Sequence, residues 1–151
     1  MATVASRRRQ QPSSTRGSAL LEMAAVLPVL LLVLAAIVDF GFLFLQYEVV
    51  TNAAREGARI GVLPDYQTAD VQQRVRDYLT AGGLTSASLS AIDVVRSTVT
   101  VGPSGLEMDV VTVSVEYPSR FMFLGPITSF IGGDPYSTVT LNATSTMRAE
   151  Q

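Results

Sequence analysis

The chain has 151 residues, which leaves room for one small domain beside a membrane segment. Its 11 basic residues, all Arg, stand against 13 acidic ones, and the net charge of −2 excludes a nucleic-acid binder that works by bulk charge. Cys and His are absent, which excludes disulfides, thiolate nucleophiles, imidazole bases and the commonest zinc ligands. No carboxylate pair or nucleophile signature stands out, so we expect no enzyme activity, cofactor, metal or small-molecule substrate.

The first 17 residues are polar and basic, and we interpret them as a leader or cytoplasmic arm. Residues 23–45, MAAVLPVLLLVLAAIVDFGFLFL, are long and apolar enough to span a membrane as a helix. The arginines of the leader precede this run, whereas the charges that follow it nearly cancel. We therefore expect the amino terminus to lie in the cytoplasm and the rest of the chain outside it. The arginines concerned are Arg7, Arg8, Arg9 and Arg16.

Helical character is predicted to continue past the span, so that one helix occupies residues 18–62 and stops before Pro64. A helix from Ser18 to Gly61 would be about 66 Å long, roughly twice the apolar thickness of a bilayer. Its second half carries small residues that would let another helix or the protein's own sheet approach closely; an Ala-rich helix without a partner is the alternative. These residues are Ala53, Ala54, Gly57, Ala58 and Gly61.

Residues 63–151 predict a small extracytoplasmic domain with one short helix and three antiparallel strands. Thr68 is the predicted cap of the helix, and Gly82-Gly83 its end. The apolar face of that helix is predicted to hold Val71, Val75, Tyr78 and Leu79. Two strands flank the turn at 102–105, and the third begins at Ser137 with Val139, Leu141, Ala143 and Met147 inward. The fold class is therefore α+β, with a long amino-terminal transmembrane helix.

Residues 121–131 are too apolar for an ordinary solvated loop. We interpret them as a lid over the open face of the sheet, and a subunit or membrane-surface contact is the alternative. The apolar side chains are Phe121, Met122, Phe123, Leu124, Ile127, Phe130 and Ile131.

In the junction RGSALLEM, Gly17 lies just before the apolar run and is followed directly by the small residue Ser18. Glu22 lies four residues after Ser18. A carboxylate this close to a membrane segment is a candidate functional group, because its burial in lipid is costly. Cutting before Ser18 would create an ammonium that could neutralise Glu22 of a neighbouring subunit in a medium of low dielectric constant. In a helix that begins at Ser18, Glu22 would also lie near the positive end of the helix dipole. The alternative is a Glu22 that merely reaches water at the headgroups.

Asp39 is the only charged residue within the predicted span. It lies near the far membrane face, where its carboxylate would reach towards water. Pairing with an arginine of an adjoining subunit, such as Arg55, is the second possibility.

The stretch from RGSALLEM to GARIGVL resembles the TadE-like proteins of tight-adherence (Tad, Flp-type) pilus systems. The segments that carry the resemblance are LEMAAVLPVLLL, Asp39-Phe40-Gly41 and TNAAREGAR, and the closing VTLNATSTMRAE is similar to the family's last strand. The resemblance implies a minor pseudopilin cut by a prepilin peptidase between Gly17 and Ser18, with Glu22 as the carboxylate of processing or assembly. Met23 departs from the aromatic residue that processed Flp-type pilins usually carry.

The resemblance also implies partners and a location. The partners would be the inner membrane, the prepilin peptidase, other pilins and pseudopilins, and the proteins of the Tad assembly platform. The chain would cross the bacterial inner membrane once and could enter the pilus. The alternative is a permanently anchored extracytoplasmic binding module whose leader is never cut, since some relatives keep theirs as a signal anchor.

Overall fold

The computed structural model describes residues 15–85, 89, 91–103, 105–130, 132 and 138–149. The predicted leader lies outside the described residues up to position 14, as do Ser104 and Ile131. The described part contains three helices and three strands. These are α1 (Thr15–Gly61), α2 (Thr68–Ala81), β1 (Ala91–Val101), β2 (Leu106–Arg120), α3 (Leu124–Phe130) and β3 (Thr138–Arg148). The predicted α+β class is confirmed, and α3 is an element that the sequence did not predict.

The helix α1 begins three residues before the predicted Ser18 and ends at Gly61, one residue before the predicted end at 62. No proline interrupts the chain between Pro12 and Pro28, so the backbone hydrogen bonds can start early. Its apolar side chains from Leu20 to Leu34 are exposed to the surroundings of the chain. In the described part of the chain, α1 is the one helix long and apolar enough to cross a membrane, judged by length and composition.

The helix α2 is capped by Gln67, one residue before the predicted Thr68. The Asp70 side chain accepts a hydrogen bond from the Gln67 backbone N–H at 2.9 Å, which satisfies a donor that the helix leaves unpaired. Val71, Val75 and Leu79 are fully buried, as predicted. Tyr78 does not share their burial and is 38% exposed, because its position turns it to the edge of the apolar face.

The three strands form one antiparallel sheet in the order β1-β2-β3. A short turn joins β1 to β2, whereas α3 lies between β2 and β3. Along β2 the buried side chains alternate with half-buried ones, and Val113 pairs with Val94 on β1 and with Ser145 on β3. The inward residues of β2 are Val111, Val113, Val115 and Tyr117. On β3, Leu141 and Ala143 are buried and Met147 packs on the core, but Val139 is 37% exposed near the strand's start.

The hydrophobic core lies in the second of two compact units, Ala35–Gln151. It joins the second half of α1, the inner face of the sheet and the apolar face of α2. Burial of these side chains is the main force that holds the unit together. One face of α1 therefore belongs to the core of the domain, which fixes the orientation of every other side chain on that part of the helix.

Candidate functional site

The predicted junction lies within the first turn of α1. Gly17 is half-buried and Ser18 exposed, and the Ser18 hydroxyl donates to Oε1 of Glu22 at 3.4 Å. The contact puts residues i and i+4 on one face of the helix, as the helical period requires. Because α1 begins at Thr15, Glu22 is not in the first turn of the uncut helix, and the predicted dipole benefit at that turn does not apply to the uncut chain.

The small residues of α1 lie against the protein's own domain. Ala53, Ala54 and Ala58 are buried in the core, and Gly57 and Gly61 are buried beside them. A Cβ on Gly57 would come within 2.6 Å of Val75 Cγ2 and 3.2 Å of Val113 Cγ1. A Cβ on Gly61 would lie 2.9 Å from Val111 Cγ1. The sequence allowed either another helix or the protein's own sheet as the partner of this surface. In the structure, α2 and the sheet of the same chain both pack against it.

Arg55 lies on the exposed side of α1, away from this packing. Its Nη1 donates to Oδ1 of Asn52 at 3.4 Å on the same helix. The sequence allowed a pairing of Asp39 with Arg55 of an adjoining subunit. That contact between subunits stays a prediction.

Asp39 is 2% exposed, so its carboxylate does not reach towards water. Oδ1 accepts the backbone N–H of Met122 at 2.9 Å, and Oδ2 accepts that of Leu124 at 2.7 Å. The N–H of Phe123 lies between both oxygens, at 3.1 and 3.0 Å. Charge-assisted bonds to three donors stabilise a carboxylate out of water. An arginine of another subunit would have to displace these donors.

The apolar segment that was predicted as a lid is thereby fixed to α1. Its backbone is held at Asp39, and the ring of Phe121 meets that of Phe40 edge-on at a centroid distance of 6.1 Å. Met122 and Phe123 are 62% and 46% exposed, so they do not cover the sheet. The expectation of a lid is therefore wrong for these two residues. Nothing is described for Ile131 or for the side chain of Phe130.

A three-residue ion-pair cluster connects α1 to α2, and sequence reasoning missed it. Arg59 binds Glu56 through two parallel bonds of 2.8 Å, and Arg74 binds Glu56 Oε1 through Nη2 at 2.9 Å. The hydrogen bonds from Arg59, followed by those from Arg74, lower the pKa of Glu56 from 4.5 to about 2. The Glu56–Arg59 spacing of three along a helix was a readable signal, but Arg74 lies 18 residues away in sequence.

Arg96 was missed as well. From β1 its guanidinium donates at 2.8 Å to the backbone carbonyls of both Gly61 and Tyr66. These carbonyls lie at and just after the end of α1, where the helix dipole is negative and carbonyls lack helical partners. Arg96 therefore fixes the end of the long helix to the sheet.

The described residues contain no group of three Asp or Glu side chains that could hold a metal ion. What the arrangement offers is packing, charge pairing and a long apolar surface.

A family model described as "TadE-like protein" matches residues 17–59, which is nearly all of α1. The sheet and the closing strand lie outside the match. Neither the curated proteins nor the solved structures give a match. The match and the long apolar helix together support a membrane-anchored protein associated with Tad pili. Over residues 17–59 the chain is therefore similar to the TadE-like proteins.

Proposed function

We propose that this protein is a minor pseudopilin of a Tad pilus, cut by a prepilin peptidase between Gly17 and Ser18. It crosses the bacterial inner membrane once, with its amino terminus in the cytoplasm and its sheet domain outside. The single observation that carries the proposal is the Gly17-Ser18 junction with Glu22 on the same helix face, within the segment that matches the family. The arginines before the apolar run support the orientation.

Cleavage would be hydrolysis of the Gly17–Ser18 peptide bond. Water adds to the bond, Gly17 leaves with a carboxylate, and Ser18 becomes the new amino terminus as an ammonium. In the mature helix, Glu22 stands one turn away, about 6 Å along the axis. The ammonium of a neighbouring subunit can replace the weak Ser18 contact, and the attraction between the two charges is stronger than in water because the surroundings have a low dielectric constant.

The pairing of Glu22 with a neighbour's ammonium would fix how far two assembled helices are shifted along each other. An unpaired carboxylate within lipid is costly, so a subunit whose Glu22 faces the Ser18 ammonium of its neighbour is favoured over one displaced along the helix. The partners of this step are other pilins or pseudopilins, brought together by the Tad assembly platform.

Processing is tested by mass spectrometry of the protein purified from membranes of cells with an active prepilin peptidase. We expect a mature chain that starts at Ser18, and the uncut chain in cells that lack the peptidase. An intact leader in both strains would contradict cleavage and favour a permanently anchored module.

The role of the carboxylate is tested by Glu22→Ala, with Glu48→Ala as the matched control, since Glu48 is an exposed carboxylate further along the same helix. We expect Glu22→Ala to abolish pili on the cell surface while the protein still folds and inserts, and Glu48→Ala to leave them unchanged. Normal piliation in Glu22→Ala cells would exclude the charge pair as a requirement for assembly.

A minor pseudopilin is present in few copies relative to the major pilin. Counting this protein against the major pilin in sheared fibres should give a small fraction of the subunits. Equal amounts would make it a component of the shaft.

A further inference from the structure

The apolar segment Phe121–Leu124 is attached to Asp39 of α1 through backbone hydrogen bonds. Three consecutive N–H groups, of Met122, Phe123 and Leu124, bind the carboxylate. Because the backbone is fixed, the side chains of Met122 and Phe123 are left to point outward. The attachment therefore determines where on the helix this apolar pair is displayed.

The attachment point lies inside the apolar surface of α1. Beyond Asp39, towards the sheet domain, Phe40, Phe42, Phe44 and Leu45 are all between 46% and 69% exposed. Leu45 is six residues past Asp39, about 9 Å along the helix. The exposed apolar surface of α1 therefore extends beyond Asp39, the residue that binds the segment. Met122 and Phe123 lie alongside it, and the Phe40–Phe121 contact joins the two surfaces.

The polar groups around Asp39 are hydrogen-bonded to one another, as polar groups in an apolar medium must be. The two oxygens of Asp39 are buried and occupied by donors, and the same bonds satisfy the N–H groups at the start of α3, which the helix itself leaves unpaired. Carboxylate caps also occur in water, but Asp39 is 2% exposed, so its oxygens and the three donors are satisfied here without water. At the edge of a bilayer, unsatisfied backbone groups and an unpaired carboxylate are each costly.

We infer that the segment Phe121–Leu124, held by Asp39, is a membrane-contact element that inserts Met122 and Phe123 into the lipid leaflet on the side of the sheet domain. The partner is the boundary between headgroups and acyl chains. It gives the domain a second point of contact besides the helix. The inference requires α1 to be in a membrane, but it does not require cleavage at Gly17 or incorporation in a pilus.

The chain has no tryptophan, so one introduced indole reports on one position. The full chain is reconstituted in phosphatidylcholine vesicles as Phe123→Trp and, separately, Met122→Trp. Tyr66→Trp is the control, because Tyr66 is 40% exposed and follows the end of α1 at Gly61, about 33 Å along the helix from Asp39. Emission is compared in vesicles with and without bromine on the acyl chains, and with iodide in the water.

We expect brominated lipid to reduce the emission of both segment reporters by at least roughly twofold, with a shift to shorter wavelength, as for residues buried at the acyl boundary. The control should respond to iodide and not to bromine. If both segment reporters behave like the control, the inference is overturned. Emission shielded from both quenchers, and dependent on the protein-to-lipid ratio, would instead show a second copy on this surface and would equally overturn it. Neither result bears on processing, which is measured separately by the mass of the chain.

Discussion

The hydrogen bonds of Asp39 do two things at once: they stabilise a buried carboxylate, and they satisfy the backbone N–H group at the start of α3. The partners of Asp39 are backbone donors, so the interaction does not depend on the side chains of the segment it holds. A carboxylate is suited to this because its two oxygens can accept several bonds at once. Sequence variation at Met122 or Phe123 would leave the attachment intact, while a change at Asp39 would remove it.

We expect Asp39→Ala to release residues 122–124 from α1. A charge-assisted hydrogen bond contributes about 1.5–3 kcal/mol net, so amide hydrogen exchange at these three residues should accelerate roughly 10- to 100-fold. Hydrogen-exchange mass spectrometry of the full chain in micelles measures it. Asp39→Asn retains one oxygen acceptor and should give an intermediate rate. Unchanged protection in Asp39→Ala would show that packing, and not the carboxylate, holds the segment.

At the scale of elements, the two halves of α1 have different surroundings. The first half exposes apolar side chains, and the second half presents small residues to the sheet and α2. Among the glycines of α1, Gly57 has the least room, since a Cβ there would meet two valines whose branched side chains have little freedom to move. Gly41 lies in the same helix with no neighbouring atom within 4 Å of a Cβ, which makes it a matched control.

We expect Gly57→Ala to lower the free energy of unfolding by about 1–3 kcal/mol, the usual cost of an added methyl group in a filled core. Alanine's better helix propensity, up to about 1 kcal/mol, offsets only part of it. Gly41→Ala should be neutral or slightly stabilising, because propensity acts there alone. The comparison is made by chemical denaturation of the full chain in micelles. An equal response of the two variants would contradict tight packing at Gly57.

The elements that the sequence predicted correctly are those whose signal is local. The two-residue period of Val111, Val113 and Val115 and the apolar run of α1 each define an element from within. The contacts that were missed join distant parts of the chain: Arg96 to Gly61, and Asp39 to residues 122–124. The periodicity of a sequence contains no information on which distant residues will be in contact. The expectation that Asp39 reaches water failed because its partners are backbone groups, which every residue but proline carries.

At the scale of the whole molecule, charge is segregated. Four arginines precede the apolar run, so acidic residues outnumber basic ones in the remainder of the chain. Within that remainder, Glu56 is the acid that receives two arginines, and it does so where α1 crosses α2. The cluster thus connects the helix that anchors the protein to the domain that the helix carries.

The connection predicts how stability depends on pH. The pKa of Glu56 is about 2 in the folded protein and 4.5 ordinarily, so the unfolded chain takes up the proton first as pH falls. The contribution of Glu56 is therefore complete above about pH 4.5 and is lost between 4.5 and 2. Both arginines are more than half exposed and screened by solvent, which limits the effect to the order of 1–2 kcal/mol.

Glu56→Gln isolates this contribution from that of the other carboxylates, because it removes the titrating group and keeps the size of the side chain. At pH 6 the wild type should be the more stable by the amount above, in chemical denaturation of the full chain in micelles. The difference should shrink as pH falls below 4.5 and nearly vanish towards pH 2. Added salt should reduce the difference at pH 6, since the arginines are exposed. A difference that stays constant from pH 6 to pH 2 would mean that the glutamate holds α1 to α2 by packing, and that its charge contributes nothing to the connection between anchor and domain.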